Sequence, residues 1–100
     1  MLPYVQRLLI EAVEGCGVRH WARIDEWDGV GSVVITDIGG EVYRLTAESL
    51  APVVSTHIDE GTISEPLDVD SYLADDIIQS ALFGCVIYRH EVRHRPVMVA

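Results

Sequence analysis

The segment SVVITDIGGEVYRL (residues 32–45) carries the clearest structural signal in this chain. Its first half, SVVITDI (32–38), is rich in β-branched residues, and its second half, EVYRL (41–45), also has strand character. Gly39 and Gly40 stand between them, and a two-glycine connection is typical of a β-hairpin. The segment therefore predicts two antiparallel strands joined by a tight turn.

A third strand is predicted directly upstream of this hairpin. The segment VRHWARIDEW (18–27) alternates well enough for an extended strand, and DGVG (28–31) supplies the turn that follows. Together the three strands predict an antiparallel meander.

The N-terminal segment PYVQRLLIEAVE (3–14) predicts an amphipathic helix. Its apolar residues recur at the spacing of one helix face: Val5, Leu8, Leu9, Ala12 and Val13. Pro3 suits the first helical position, and Gly15 suits the C-terminal stop.

A second helix is predicted after the meander, with either Thr46 or Ser49 as its N-cap. Pro52 favours Ser49, because the proline then lies in the first turn, where backbone donors have no helical partner. Four apolar residues are expected to face the core: Leu50, Val53, Val54 and Ile58.

A third helix follows a polar loop over 59–67, and Gly84 ends it. Asp68 or Asp70 can cap its N-terminus. Its apolar stripe consists of Leu73, Ala74, Ile77, Ile78, Ala81 and Leu82. The opposite, polar side is expected to hold Asp75, Asp76, Gln79 and Ser80. The segment CVIY (85–88) then predicts a last short strand.

These elements predict an α+β fold in the order α-β-β-β-α-α-β. A three- to four-stranded antiparallel meander would pack on two to three helices, with residues 1–88 as one domain and 89–100 as a basic C-terminal tail. One sheet edge would stay unprotected, which makes a homodimer through strand pairing possible.

The composition is that of a globular protein, with 49% hydrophobic and 23% charged residues. No stretch approaches the roughly 20 apolar residues of a membrane span, and the N-terminus does not have the layout of a signal peptide. We therefore expect a cytoplasmic protein with no membrane association. Cys16 and Cys85 are then expected to be free thiols.

The formal charge of −9 is unevenly distributed, since residues 47–84 contain eight acidic residues and no Arg or Lys. Such a surface repels phosphate, so direct nucleic-acid binding is not expected. It is either a solvated face or a surface that imitates DNA or docks on a basic partner. Asp75 and Asp76 would project about 100° apart on a helix, as surface residues and candidate partner contacts.

The strand over 18–27 holds a second candidate binding surface. On a regular strand, one face would carry Arg19, Trp21, Arg23, Asp25 and Trp27. Arginines beside tryptophans can form a platform for a base, a nucleotide or a peptide. Alternatively, the two tryptophans anchor the sheet–helix core, with the arginine stems packed across them.

The tail contains His90-Glu91-Val92-Arg93-His94, which matches the H-E-x-x-H zinc-protease pattern. Zinc would need both histidines on one helix face, but Pro96 and the β-prone CVIY segment disfavour a helix here. A structural metal bound by Cys16, His20, His90 and His94 is a further alternative, supported by spacing alone. We therefore predict no cofactor and no enzymatic activity, and keep a zinc-dependent hydrolase as an alternative.

Three segments resemble a family of small proteins of phages and prophages: EAVEGCGVRHWARIDEWDG (11–29), VYRLTAESLAPVV (42–54) and YLADDIIQSALFGCVIY (72–88). The chain departs from that pattern at Cys16, where a glycine is usual, at His20, where a tyrosine is usual, and after Tyr88. The resemblance implies a phage or prophage setting but no catalytic residues.

The leading functional hypothesis is thus a non-enzymatic accessory protein that binds, and by binding inhibits, a host macromolecule. The alternative is a small-ligand or nucleotide-binding protein that uses Arg19, Trp21 and Arg23.

Overall fold

The computed structural model describes residues 1–88, and their fold is the predicted α+β arrangement. In chain order the elements are α1 (Leu2–Val13), β1 (Ala22–Trp27), β2 (Ser32–Asp37), β3 (Val42–Thr46), α2 (Ala47–Asp59), a 3₁₀ turn (Pro66–Asp68) and α3 (Ser71–Phe83). The strands form one antiparallel sheet in the order β1-β2-β3. Helix α1 packs against both α2 and α3, and the core lies between these helices and one face of the sheet.

The predicted helix α1 is confirmed, and its bounds differ from the prediction by one residue at each end. Its five predicted apolar positions are all buried in the core. The chain then turns sharply before β1. Cys16 adopts a φ of 65°, in the left-handed region that favours glycine. A Cβ on Gly17 would lie 2.7 Å from the backbone oxygen of Ser71, so only glycine lets the chain pass α3 this closely.

The first strand is shorter than predicted. Residues 18–21 form a turn in which the Val18 carbonyl accepts from the backbone N–H groups of Trp21 and Ala22, at 3.1 and 2.9 Å. The Val18 carbonyl and the Trp21 N–H are therefore not available for strand pairing, and β1 begins at Ala22.

A β-bulge at Asp25 overturns the predicted single face of β1. Ile24 pairs with Ile35, whereas Glu26 pairs with Val34, so the register shifts between them. The extra residue reverses the alternation of side chains. Arg23, opposite Thr36, therefore faces away from the core, while Trp27 lies opposite the buried Val33. The prediction that Arg23 and Trp27 share a face was wrong.

Helix α2 begins one turn earlier than Pro52 suggested. Thr46 is the N-cap, and a capping box joins it to Ser49: each side chain accepts from the other's backbone N–H at 3.0 Å. Pro52 then lies inside the helix, where it cannot donate to the carbonyl of Glu48. The two reciprocal hydrogen bonds outweigh this loss, so the preference for Ser49 as N-cap was wrong.

Helix α3 is capped by Asp70, which accepts from the Leu73 N–H at 2.8 Å, and Gly84 ends it at a φ of 84°. Its faces differ from the prediction in two ways. Asp75 and Gln79 are fully buried, although they were expected on the polar side, and Ala81 is exposed.

The predicted fourth strand over 85–88 is wrong, because this segment pairs with none of the strands in residues 1–88. The sheet edges at β1 and β3 carry no further strand within residues 1–88, and the homodimer stays a prediction. None of the helices in this part of the chain has the length and apolar character needed to cross a membrane.

The capping box yields a stability prediction. Thr46→Ala is expected to lower the free energy of unfolding by about 1 kcal/mol, since it leaves the Ser49 N–H in the first turn of α2 without its side-chain acceptor. Urea denaturation measures the change. Thr56→Ala is the matched control in the same helix, because its exposed hydroxyl only bonds back to the Pro52 carbonyl. Equal losses in both variants would contradict the role of the cap.

The turn between β1 and β2 yields a pH prediction. Hydrogen bonds from the backbone N–H groups of Val30 and Gly31 lower the pKa of the Asp28 carboxyl. A carboxyl whose pKa is lowered by folding stabilises the protein above its unfolded value of about 4, and this stability is lost as the pH falls through the folded value.

Asp28→Asn should therefore reduce the loss of stability on acidification, measured by chemical denaturation from neutral pH downward. Some loss is expected to remain, because hydrogen bonds also lower the pKa of Asp25 and of Asp68. An unchanged pH profile in the variant would contradict this assignment.

Candidate functional site

A buried polar network links α3 to the turn before β1, and Asp75 is its centre. The Asp75 carboxylate accepts from Trp21 Nε1 at 2.7 Å and from Gln79 Nε2 at 2.9 Å, and it contacts His20 Nε2 at 2.7 Å. The Asp75 side chain is fully buried, and only 8% of the His20 side chain is exposed. A carboxylate only accepts hydrogen bonds, so this geometry requires the hydrogen of His20 on Nε2.

Gln79 extends the network to the segment after α3. Its Oε1 accepts from the backbone N–H groups of Ile87 and Tyr88, at 3.0 and 2.8 Å, and its Nε2 donates to the Tyr88 carbonyl at 2.9 Å. The amide thus satisfies the backbone groups that a fourth strand would have used. This explains why residues 85–88 pack beside α3 without joining the sheet.

An aromatic cluster covers the same network. Tyr88 stacks on Trp21 with ring centroids 5.3 Å apart and an interplanar angle of 4°. Phe83 meets Trp21 edge-on at 5.5 Å and also contacts the rings of Tyr43 and Tyr88. Trp21 is only 1% exposed, so its interaction partners lie inside the protein.

An open groove of about 330 Å³ lies next to this network. It is lined by residues 19–23, from the turn and the start of β1, and by residues 36–38, at the end of β2. Three of the lining residues are exposed to solvent: Arg19, Arg23 and Ile38.

The predicted binding residues therefore separate into distinct environments. Arg19 and Arg23 are exposed in the groove, whereas Trp21 is a core anchor that contributes to the groove lining. Trp27 is half-buried on the core side of the sheet, where its Nε1 donates to the Glu14 carboxylate at 2.9 Å. For the tryptophans, the core interpretation is thus the one that the contacts favour.

Asp75 and Asp76, the two adjacent acidic residues of α3, also lie in different environments. Asp75 is the buried centre of the network, which corrects the expectation of a surface residue, whereas its neighbour Asp76 is half-buried. His20 was expected only as a ligand of the alternative structural metal, and Gln79 only as a polar surface residue. A signal was present, since Asp75 and Gln79 are spaced i, i+4 along the edge of the apolar stripe.

The metal hypotheses fall largely outside the described residues, which end at Tyr88, before His90, Glu91 and His94. Across residues 1–88, no group of three or more His, Cys, Asp or Glu side chains is placed to hold a metal ion. Cys16 and Cys85 are free thiols, as predicted.

No family model, curated protein or solved structure matches this chain. The resemblance to the phage family stays a prediction.

The network yields a second stability prediction. Asp75→Ala is expected to lower the free energy of unfolding by about 3 kcal/mol, because it leaves the buried donors of Trp21, His20 and Gln79 without their acceptor. Denaturant unfolding followed by tryptophan fluorescence measures the loss. Asp76→Ala, at the adjacent half-buried carboxylate, should lower the free energy of unfolding by no more than about 1 kcal/mol. Comparable losses in the two variants would contradict the central role of Asp75.

Proposed function

We propose that this chain is a non-enzymatic, phage-type accessory protein that docks on a basic surface of a host protein. The docking surface is the connection between α2 and α3, residues 59–70, together with Tyr72 at the start of α3. The observation that carries the proposal is the combination of exposed apolar side chains and unneutralised carboxylates on this surface.

The connection is densely acidic. Five of its twelve residues carry a carboxylate, and all five are exposed: Asp59, Glu60, Glu65, Asp68 and Asp70. None of these five carboxylates forms an ion pair with a basic side chain of residues 1–88. A basic partner would supply the missing counter-charges, and complementary charge accelerates and orients docking.

Two apolar side chains are exposed on the same surface. Leu67, in the 3₁₀ turn, is 70% exposed, and Tyr72 is 39% exposed. An apolar centre with a polar rim is the usual anatomy of a protein–protein interface, and tyrosine is enriched among the residues that dominate binding.

The surface is also held in shape. The Asp68 carboxylate accepts from the backbone N–H groups of Ser64 and Glu65, at 2.8 and 3.0 Å, and hydrogen bonding to these groups lowers its pKa. The Tyr4 hydroxyl donates to the Ser64 carbonyl, and Arg7 Nε donates to the Val69 carbonyl at 3.1 Å. Helix α1 therefore anchors the connection at its middle and near its C-terminal end, which reduces the entropy that docking would otherwise cost.

A charge-variant capture experiment tests the proposal. The triple variant Asp59→Asn/Glu60→Gln/Glu65→Gln removes three carboxylates and leaves Asp68 and Asp70 as caps. The control triple variant removes three exposed carboxylates from outside residues 59–70: Glu26→Gln, Glu41→Gln and Glu48→Gln. Both variants change the net charge equally, so only position distinguishes them.

Immobilised wild-type protein is expected to capture a host protein that the control variant also captures and that the connection variant loses by about tenfold or more, as three lost charge contacts imply. Leu67→Ser should weaken capture as well. Equal recovery by both triple variants would overturn the proposal. If short duplex DNA releases the partner, the surface acts as a DNA mimic. If the partner stays bound in the presence of DNA, the surface docks on a protein without imitating DNA.

A further inference from the structure

We propose that the groove beside β1 binds a small phosphomonoester, whose phosphate is held between Arg19 and Arg23. This site is formed by other residues than the acidic connection, and the inference does not depend on the docking function.

Both arginines are oriented by a fixed partner and keep most of their donors. Arg19 Nε donates to the Val13 carbonyl, at the C-terminus of α1, at 2.9 Å. Arg23 Nε donates to the Asp25 carboxylate at 2.7 Å. A guanidinium has five N–H donors, so four remain on the Nη atoms of each arginine, and these have no partner within residues 1–88.

The charge distribution makes this groove an exception on an acidic protein. Residues 1–88 contain four arginines and no lysine, and two of the four line the groove. The nearby carboxylates already have donors. Asp25 accepts from the Thr36 hydroxyl and from Arg23, which lower its pKa, and Asp37 accepts from the Glu41 N–H at 2.9 Å.

The chemistry of the donors selects the ligand class. A tetrahedral phosphate has several oxygens that accept from two guanidinium forks at once, and arginine is the side chain best suited to this geometry. Stacking of a base is not available, because Trp21 is 1% exposed and Tyr88 covers its ring. The groove volume of about 330 Å³ suits a small ligand.

The base of the groove is rigid. Ala22 and Trp21 are buried, and His20, which also lines the groove, is tied to Asp75 on α3. A preorganised base means that little conformational entropy is lost on binding.

Calorimetric titration of the full chain with glycerol 3-phosphate, inorganic phosphate and succinate tests the site. We expect saturable binding of the phosphates and weaker binding of succinate. Arg19→Gln and Arg23→Gln should each weaken binding about tenfold or more, since a charge-assisted hydrogen bond contributes about 1.5–3 kcal/mol. Arg44→Gln, at an exposed arginine of β3 outside the groove lining, should leave the affinity within about twofold.

Asp25→Asn is expected to change the phosphate affinity in the opposite direction. Asparagine keeps an Oδ1 that accepts from Arg23 Nε and orients it, but it removes the negative charge that repels phosphate, so phosphate should bind more tightly than to the wild type. Absence of saturable phosphate binding, an equal loss in Arg44→Gln, or weaker binding in Asp25→Asn would each overturn the site. Succinate binding as tight as that of glycerol 3-phosphate would overturn the phosphate assignment. Circular dichroism of each variant separates a binding defect from unfolding, and no partner protein enters the assay.

Discussion

The carboxylate of Asp75, buried among the donors of Trp21, His20 and Gln79, is the constraint on which the arrangement of this protein depends. A buried carboxylate is costly unless donors replace its water. Here the donors come from α3 itself and from the turn before β1, which are more than 50 residues apart in sequence. The position of the turn relative to the helix is therefore specified by hydrogen-bond geometry as well as by apolar contact.

Much of the fold was accessible from local sequence signals. The hairpin of β2 and β3, the five-residue apolar face of α1 and the Gly84 stop depend on short-range chemistry and are confirmed. The turn of the hairpin is longer than the predicted Gly39-Gly40 pair, because it spans residues 38–41 and the Gly40 N–H donates to the Asp37 carbonyl at 3.0 Å. The error at the N-cap of α2 has a physical cause. Pro52 favours Ser49 as the N-cap, but the reciprocal hydrogen bonds between Thr46 and Ser49 stabilise a helix that is capped by Thr46.

The candidate site was less predictable, because its features arise from long-range contacts. A bulge at Asp25 changes which residues face the core, and periodicity alone does not reveal an extra residue. Likewise, the polar character of Asp75 and Gln79 predicts that both lie on the surface. In the structure both are buried, and each forms hydrogen bonds inside the protein. What the sequence did indicate is the concentration of arginines near β1 and of carboxylates after α2. The structure places these two groups on different elements, so the protein has two chemically distinct surfaces.

The way Gln79 holds residues 87 and 88 has an evolutionary consequence. Its amide binds only main-chain groups of these two residues, which every amino acid except proline presents in the same form. Selection for this attachment therefore falls on one glutamine of α3, while the side chain at position 87 can drift among relatives without loosening it. Position 88 is more constrained, because its ring also rests on Trp21.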